Sequence, residues 1–391
     1  MSGMAGPLSA TATAEAVVDL DAIARNTALL AGRTTARLMA VVKADGFGHG
    51  LVPVARTALA HGASWLGVTS CAEALQLRAA GVTAPILSWL HGHDEDFRAV
   101  VAAGVELSVA SPEHLQAIAA TGTCRTGPVA VHLKVDTGLS RNGAAIHDWP
   151  ELVRWAGKLA ADGQVEVRGV WSHLATADTP DRASVARQVR TFEEAIGYAR
   201  AAGLDPALCH LANSAAILDL PGTHYDLVRA GVALYGIEPV PGRASGLRPA
   251  MTLRARAVLT KRVPPGTGVS YGYEYVTPRA GTLLLVPLGF ADGVPRGAGG
   301  RAEVWFADGR HPIAGRIAMD QFVVDVGDLP ARPGDEVVVF GPGDRGEPTV
   351  TDWARWAGTN PHEILTGIGG RVPRRYLPAG RSWTDRSESC A

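Results

Sequence analysis

This chain of 391 residues has few cysteines, almost no net charge and no long apolar runs. Its four cysteines, Cys71, Cys124, Cys209 and Cys390, have no paired spacing, which argues against a zinc site or a disulfide framework and predicts reduced thiols. No stretch approaches the roughly 20 uninterrupted apolar residues of a membrane span. A net charge of -1 gives no electrostatic reason to bind nucleic acid or an acidic membrane. The composition therefore predicts a cytoplasmic globular protein without a metal.

Lysine is also scarce, because only four of the 37 lysine and arginine residues are lysines. A chain that uses arginine almost everywhere keeps lysine where arginine cannot work, since only an amine can lose its proton and attack a carbonyl. Lys43 ends an apolar run and opens the glycine-rich segment 44–50. We interpret Lys43 as a Schiff-base nucleophile. The alternative is a lysine that ends a strand with its head in water.

Eight short apolar runs alternate with longer alanine-rich, amphipathic segments between residues 38 and 236. This alternation predicts a (β/α)8 barrel, whose strands are buried on both faces and whose chemistry gathers at their C-terminal ends. The alternative is a doubly wound sheet, but the spacing of Gly46, Gly48 and Gly50 does not match its glycine fingerprint. The predicted strands are residues 38–42, 65–68, 85–89, 105–109, 129–135, 167–171, 207–211 and 225–228.

The sequence pattern changes after about residue 240, where glycine and proline separate short runs that are typical of β-strands. We expect an α/β barrel domain over residues 15–240 and a mainly β domain over residues 241–378. Residues 1–14 lack the positive charge and apolar core of a secretion signal, and they and residues 379–391 are predicted to be disordered tails. The sequence leaves open whether residues 16–20 pair with the second domain. The β-rich runs are 253–259, 282–288, 302–306, 321–326 and 336–340.

Reactive side chains stand at the ends of several predicted barrel strands, where barrels hold their sites. Ser214, Gly231 and Val232 lie in the loops after strands seven and eight, which commonly bind a phosphate. A phosphorylated carbonyl cofactor joined to the lysine of strand one, pyridoxal 5'-phosphate, is therefore the economical hypothesis. The strand-end residues are Lys43, Lys134, Arg141, His173 and Arg229.

Nine motifs, in order and spacing, resemble those of the bacterial alanine racemases over residues 16–376. The resemblance implies a barrel followed by a β domain, pyridoxal phosphate as cofactor and a homodimer with shared sites. It also implies interconversion of L-alanine and D-alanine for peptidoglycan. The motifs are residues 42–50, 134–138, 173 with 175–178, 213–214, 228–236, 269–272, 289–293, 315–320 and 371–376.

The resemblance implies two catalytic bases on opposite faces of the substrate Cα. Lys43 carries the cofactor and acts on one face, and Tyr271, supplied by the second subunit, acts on the other. A proton removed from one face can then be returned to the other. By the same resemblance, the cofactor is bound by Lys43, Phe47, His173, Asn213, Ser214, Arg229, Gly231, Val232 and Tyr376, and the substrate by Arg141, Met319 and Asp320.

Arg229 is expected at the pyridine nitrogen of the cofactor, oriented by His173. A guanidinium can only donate hydrogen bonds, so that nitrogen stays unprotonated and the ring becomes a weaker electron sink. This favours racemisation over transamination. Lys134 is often carbamylated in the family, and we hypothesise the same here, because a carbamate would replace a repelling cation with an anion that holds Arg141.

Two positions depart from the family pattern. Phe47 and Phe290 stand where tyrosines are common, so both lose a hydroxyl. The first loss predicts weaker cofactor retention, by about 0.5 to 1.5 kcal/mol, and the second a changed substrate entry or side-chain preference. Two alternatives to alanine racemisation follow: a racemase for serine or larger amino acids, and a non-catalytic protein that binds pyridoxal phosphate. Tyr271 and Met319 argue against the second.

Overall fold

The computed structural model describes residues 12–92, 94–121, 127–179 and 181–379. Most of the two predicted tails, 1–14 and 379–391, therefore lies outside the described residues, as do Cys124 and Cys390. The described chain forms two compact units. The barrel unit contains residues 23–46 and 51–247, and the second unit contains residues 12–22, 47–50 and 248–379. Within the described ranges, no helix is long and apolar enough to cross a membrane.

The barrel unit contains eight parallel strands in the order β8-β7-β6-β5-β4-β3-β2-β9. Backbone hydrogen bonds link the two ends of this order, from Asp226 N to Cys209 O and from Arg229 N to Ala212 O, both 3.0 Å. The predicted (β/α)8 barrel is confirmed, and every predicted run overlaps one strand. The strands are β2 (Arg37–Val41), β3 (Trp65–Val68), β4 (Ile86–Ser88), β5 (Glu106–Val109), β6 (Val129–Lys134), β7 (Val165–Trp171), β8 (Leu208–His210) and β9 (Leu227–Ala230).

Helices separate the barrel strands, and polar caps define where several of them begin. Ser70 and Glu73 form a capping box at α4, and the Asn213 side chain accepts a hydrogen bond from Ala216 N at the start of α9. The helices are α1 (Leu20–Ala31), α2 (Lys43–Phe47), α3 (Leu51–Ala60), α4 (Cys71–Ala79), α5 (Arg98–Ala102), α6 (Pro112–Thr121), α7 (Trp149–Ala161), α8 (Arg182–Ala201) and α9 (Ser214–Asp219). Of these, α2 is a left-handed turn and not a right-handed helix.

Apolar packing between the strands is close enough to require glycine at one position. Met39, Leu87 and Leu227 form a buried cluster with the rings of Trp65 and Trp89 packed against it. A Cβ on Gly67 in β3 would lie 2.6 Å from the Trp89 ring and 2.9 Å from the Met39 sulfur. Only a residue without a side chain leaves room for both.

The second unit is mainly β and contains a six-stranded sheet in the order β16-β15-β18-β10-β1-β19 and a three-stranded sheet in the order β11-β14-β17. Val263, Val269, Leu283 and Ala314 form one of its buried clusters. Its strands and helices are β1 (Ala14–Asp19), β10 (Met251–Arg256), β11 (Leu259–Val263), β12 (Gly268–Val269), β13 (Tyr275–Val276), β14 (Gly281–Val286), β15 (Glu303–Phe306), β16 (Gly309–Pro312), β17 (Phe322–Asp325), β18 (Glu336–Phe340), β19 (Arg374–Leu377), α10 (Val350–Ala357) and α11 (Pro361–Gly367).

Two details of this unit go beyond the sequence patterns. The segment that the sequence left open, residues 16–20, lies in β1 and the start of α1, and β1 pairs antiparallel with β10 and parallel with β19. The run 253–259, predicted as one strand, contains parts of two. Ala257 N donates to Asp335 O and Val258 N donates to Leu285 O, so the chain changes sheets at this point.

Candidate active site

Lys43 begins a left-handed turn directly after β2. Ala44, Asp45, Gly46 and Phe47 have φ values of 55°, 52°, 60° and 50°. Residues with a Cβ disfavour this region, so three of the four are strained and must be held by their surroundings. Asp45 Oδ1 accepts a hydrogen bond from Leu51 N at 2.7 Å, which closes the turn onto α3.

Glu73 holds the beginning of the same turn. Its Oε1 accepts a hydrogen bond from Ala44 N at 2.7 Å, and its Oε2 accepts from Thr69 N and Ser70 N at 2.9 and 3.2 Å. One carboxylate therefore ties the residue after the lysine to the loop that follows β3. The role of Glu73 was not predicted.

The pKa of Lys43 is lowered from its ordinary value, first by burial and then by the positive charge of Arg141, while the carboxylate of Glu73 opposes the shift. A lower pKa gives more neutral amine, the form that attacks carbonyls and accepts protons. The chemistry predicted for Lys43 therefore has an electrostatic basis in the barrel unit.

Lys134 is buried at the end of β6, with 6% of its surface exposed. Its ammonium nitrogen lies 4.3 Å from the centre of the Trp171 ring. Burial, followed by the charges of Arg229 and Arg141, lowers the pKa of Lys134 to about 7. Lys134 is thus partly neutral at physiological pH, because it is buried and lies among cations.

Arg229 in β9 is buried, and its guanidinium donates to backbone carbonyl oxygens at 2.8 Å (Ser172) and 3.0 Å (Leu211). It also donates to Nδ1 of His173 at 3.3 Å and to Nδ1 of His210 at 3.2 Å. Burial lowers its pKa to about 9, which still leaves a cation at pH 7. The structure thus brings Arg229 and His173 together as the sequence analysis predicted.

His173 is held neutral, because burial and then the charge of Arg229 lower its pKa to about 3. The further causes of this shift are Arg141, Lys134 and Lys43. One histidine therefore senses all four cations, which places their charges around a common region at the C-terminal strand ends. Such a concentration of positive charge is suited to an anion.

The strand-end residues fit a phosphorylated aldehyde. Lys43 supplies an amine of lowered pKa for the carbonyl, and Arg229 supplies a donor without a carboxylate of the described residues paired to it. Ser214 Oγ accepts hydrogen bonds from Gly231 N (2.9 Å) and Ala233 N (3.3 Å), which joins the loops after β8 and β9. The hydroxyl hydrogen is not used in these two contacts and suits an anionic oxygen. Val232 begins a buried 3-10 turn beside them.

The remaining predicted site residues lie in the second unit. Phe47 is buried against the ring of His362, at a centroid distance of 6.0 Å. Tyr376 in β19 approaches Gly50 so closely that a Cβ there would clash with the tyrosine hydroxyl. The phenol of Tyr376 and the end of the lysine segment are therefore neighbours, which sequence spacing alone could not predict.

Tyr271, Met319 and Phe290 belong to three adjoining loops of the second unit, and all three side chains are exposed, Tyr271 to 70%. Ser270 Oγ donates to Arg316 O at 2.8 Å, and Ala291 N donates to Met319 O at 2.9 Å, so the loops are tied together. Asp320 pairs with Arg371 at 2.8 Å, and Arg371 also pairs with Asp292.

Sequence reasoning gave no role to a set of buried residues behind Arg229. They were detectable by strand periodicity, because side chains two residues apart share a face. His132 precedes Lys134 by two residues, and Trp171 precedes His173 by two. A carboxylate inside the apolar run 105–109 was a further signal. The residues are Glu106, His132, Trp171 and His210, with exposed fractions of 4%, 0%, 3% and 0%.

Comparison with known proteins connects this arrangement to one family. The family described as "Alanine racemase, N-terminal domain" matches residues 18–239, and "Alanine racemase, C-terminal domain" matches residues 250–376. The chain is 55% identical to an alanine racemase of Frankia casuarinae over 368 residues, covering 93% of this chain and 96% of the relative. It is 52% identical to one of Thermobifida fusca, covering 94% and 99%.

A solved structure agrees with the sequence relatives. The crystal structure of alanine racemase from D-cycloserine-producing Streptomyces lavendulae superposes with a TM-score of 0.92 at 47% identity, and the match covers 95% of this chain and 98% of that one. Both family domains, in order, together with whole-length relatives of this identity, leave one assignment. The chain belongs to the alanine racemase family.

Proposed function

We propose that this protein interconverts L-alanine and D-alanine by a two-base mechanism that depends on pyridoxal 5'-phosphate. The observation that carries the proposal is the position of Lys43, an amine of lowered pKa directly after β2, the strand that pairs with β9, which carries the donor-only cation Arg229. The names of the relatives support alanine as the substrate. We further propose that the reaction takes place in the cytoplasm and supplies D-alanine for peptidoglycan.

Each strand-end residue has a distinct task in this proposal. Pyridoxal phosphate, when bound, supplies an electron sink that acidifies the Cα proton of an amino acid. Lys43 would hold the cofactor through its amine and would move a proton at one face of Cα. Arg229 would donate to the ring nitrogen and, being unable to accept, would favour its unprotonated form. Arg141 supplies the positive charge for the substrate carboxylate and the phenolic oxygen.

The phosphate is assigned to the loops after β8 and β9. Ser214 donates its hydroxyl, and Gly231, Val232 and the α9 cap Asn213 shape the loops around it. Tyr376 adds a second hydroxyl beside the lysine segment. Phe47 offers only its ring, so we propose that cofactor binding here relies on these hydroxyls and on the cations.

The second base comes from a second copy of the chain. Tyr271 is 70% exposed in a strained turn, with Ser270 at a φ of 62°, and Met319 in the adjoining loop is 56% exposed. Exposed aromatic and apolar side chains on tied loops are typical of an interface. We propose a homodimer in which these loops complete the site of the second subunit, with Tyr271 as base and with Met319 and Asp320 near the substrate carboxylate.

The proposal is tested by incubating the protein with pyridoxal phosphate and L-alanine in D2O. Loss of the Cα proton is followed by proton NMR, and formation of D-alanine by a chiral assay. L-serine and larger amino acids, measured in the same way, rank the substrates. Exchange with D-alanine formation is expected; a coloured protein that exchanges no amino acid would instead indicate a cofactor carrier.

Tyr271→Phe is expected to abolish racemisation while Lys43 still exchanges the proton of one enantiomer, because only one of the two bases is lost. Tyr273→Phe is a matched control, since Tyr273 is equally exposed (70%) and lies in the same turn. Equal losses in the two variants, or equal exchange of both enantiomers in Tyr271→Phe, would contradict the role of Tyr271 as second base.

A further inference from the structure

Four buried polar side chains from different barrel strands form a continuous hydrogen-bonded line. His210 Nδ1 lies 3.2 Å from Arg229 Nη1, His210 Nε2 lies 3.0 Å from His132 Nδ1, and His132 Nε2 lies 2.9 Å from Glu106 Oε2. The four residues belong to β9, β8, β6 and β5. The line runs from the first residue of β5 to Arg229 in β9.

The direction of every hydrogen bond in this line follows from its two ends. Arg229 can only donate, so His210 Nδ1 accepts, and a neutral His210 must carry its proton on Nε2. That proton is donated to His132 Nδ1, which leaves the His132 proton on Nε2 to be donated to the carboxylate. The opposite orientation would place two donors against each other at Arg229.

Both ends of the line are stabilised in the charge state that this direction needs. Burial alone would raise the pKa of Glu106, but its hydrogen bond to His132, that to Trp65 and the charge of Arg168 keep the pKa below its ordinary value. Burial and the charge of Arg229 lower the pKa of His210. Glu106 is therefore an anion, His210 is neutral, and Arg229 is a cation.

The barrel is shaped around this line. A Cβ on Gly169 in β7 would clash with His132 Nδ1, so glycine makes room for the imidazole. The pairing of β6 with β7 shifts register between Val131 and His132, at the same place. Trp171 stacks on His210 at an interplanar angle of 7° and donates to Ser108 Oγ at 2.9 Å, which fixes the ring plane.

We propose that Glu106 is a positioning residue: through His132 and His210 it presents an acceptor nitrogen to Arg229 and holds that arginine in place for the reaction. Its effect on turnover rests on the function proposed above, whereas its effect on the tautomers does not. Buried hydrogen-bonded chains polarise one another, so the carboxylate acts on Arg229 without touching it.

The inference is tested by nitrogen-15 NMR of the imidazoles, with and without added pyridoxal phosphate, together with kcat and KM for alanine. In the unchanged protein, His132 and His210 are expected as Nε2–H tautomers in both preparations. Glu106→Gln removes the charge and is expected to mix the His132 and His210 tautomers. It should lower kcat about 10- to 100-fold, the usual loss when an outer partner of a site is removed, with a smaller change in KM. Glu106→Asp should recover part of kcat.

Glu166→Gln is the matched control, because Glu166 also pairs with Arg168 (2.8 Å) but does not contact His132. It should leave tautomers and kcat unchanged. An Nδ1–H tautomer of His210 in the unchanged protein would overturn the inference, as would a Glu106→Gln variant with altered tautomers and full kcat. If the unchanged protein turns over no amino acid, the proposed function fails, while the tautomers still decide whether Glu106 orients the line.

Discussion

Two arginines in the described part of the chain are almost fully buried, and their charges are compensated in different ways. Arg254 in the second unit is 2% exposed and pairs with Glu15 at 2.5 Å and Glu336 at 2.6 Å. Arg229 in the barrel unit is 4% exposed, and no carboxylate of the described residues pairs with it directly. It donates to carbonyl oxygens and to histidines instead.

The difference separates a structural cation from a functional one. A buried charge needs compensation, and Arg254 receives it from residues that its own sheet brings together. Arg229 keeps its charge without such a partner, and its charge and those of Arg141, Lys134 and Lys43 all act on His173. A cation left without a direct counter-ion in a protein interior therefore indicates a ligand site.

The largest expected effect is on stability. Arg254→Met leaves Glu15 buried with Arg375, at 3.4 Å, as its remaining ion-pair partner among the described residues, so we expect the free energy of unfolding to fall by about 3 to 5 kcal/mol. Arg229→Met leaves carbonyl oxygens without their donor but leaves no directly paired carboxylate. For this variant we expect the free energy of unfolding to fall by about 1 to 3 kcal/mol. Urea denaturation of both variants measures this. A larger loss for Arg229→Met would reverse the assignment of the two arginines.

A second expected effect is carbamylation of Lys134, in which the neutral amine attacks carbon dioxide, loses a proton and becomes an anionic carbamate. Carbamylation requires a neutral amine, and the neutral fraction rises as the pH rises through the pKa of about 7. At fixed carbon-13 bicarbonate, a carbamate signal is therefore expected to reach about half its maximum near pH 7 and to be lost below it.

Two variants identify the lysine responsible. Lys134→Arg should abolish the carbamate signal, because a guanidinium stays protonated, whereas Lys158→Arg in α7 should retain it. An unmodified Lys134 in a fully active protein would show that the cation cluster functions without a carbamate.

The smallest expected effect concerns backbone strain. Ala44 in the lysine turn has a φ of 55°, and Ala307 in the hairpin between β15 and β16 has a φ of 45°. Replacing either with glycine relieves strain, and the urea midpoint should rise by an amount equivalent to about 0.5 to 1 kcal/mol. Only Ala44→Gly should also lower kcat, because Lys43 follows the movement of its turn. A changed kcat in Ala307→Gly would contradict the expectation that only strain in the lysine turn affects turnover.

The barrel could be predicted because its strands are buried on both faces and appear as continuous apolar runs between helices. The two sheets of the second unit were harder. Nothing in residues 253–259 marks the change of sheet at Ala257 and Val258, since β10 and β11 have similar composition and their pairing depends on Asp335 and Leu285, far along the chain.

The site residues also divide into those that the sequence could locate and those that it could not. Lys43 and His173 follow strands and Arg229 is the penultimate residue of β9, so all three could be located from strand ends alone. Glu106 and Glu73 could not, because a carboxylate in a strand or at a helix start is ordinary, and their significance lies in contacts with His132 and Ala44. Hydrogen bonds between side chains distant in sequence leave no periodic signal.

The first strand has a consequence for how the protein is made. β1 is flanked by β10 and β19, so it can be paired on neither side until residue 251 has been synthesised, and its second edge stays open until residue 377. At a ribosome speed of about 5 to 20 residues per second, that first interval lasts roughly ten to fifty seconds. All eight barrel strands emerge during this time, while an apolar strand remains exposed at the start of the nascent chain. β1 is thus a defined segment for cotranslational chaperones to bind. A chain released before residue 251 has been synthesised would carry β1 with both edges unpaired, and unpaired strand edges promote aggregation.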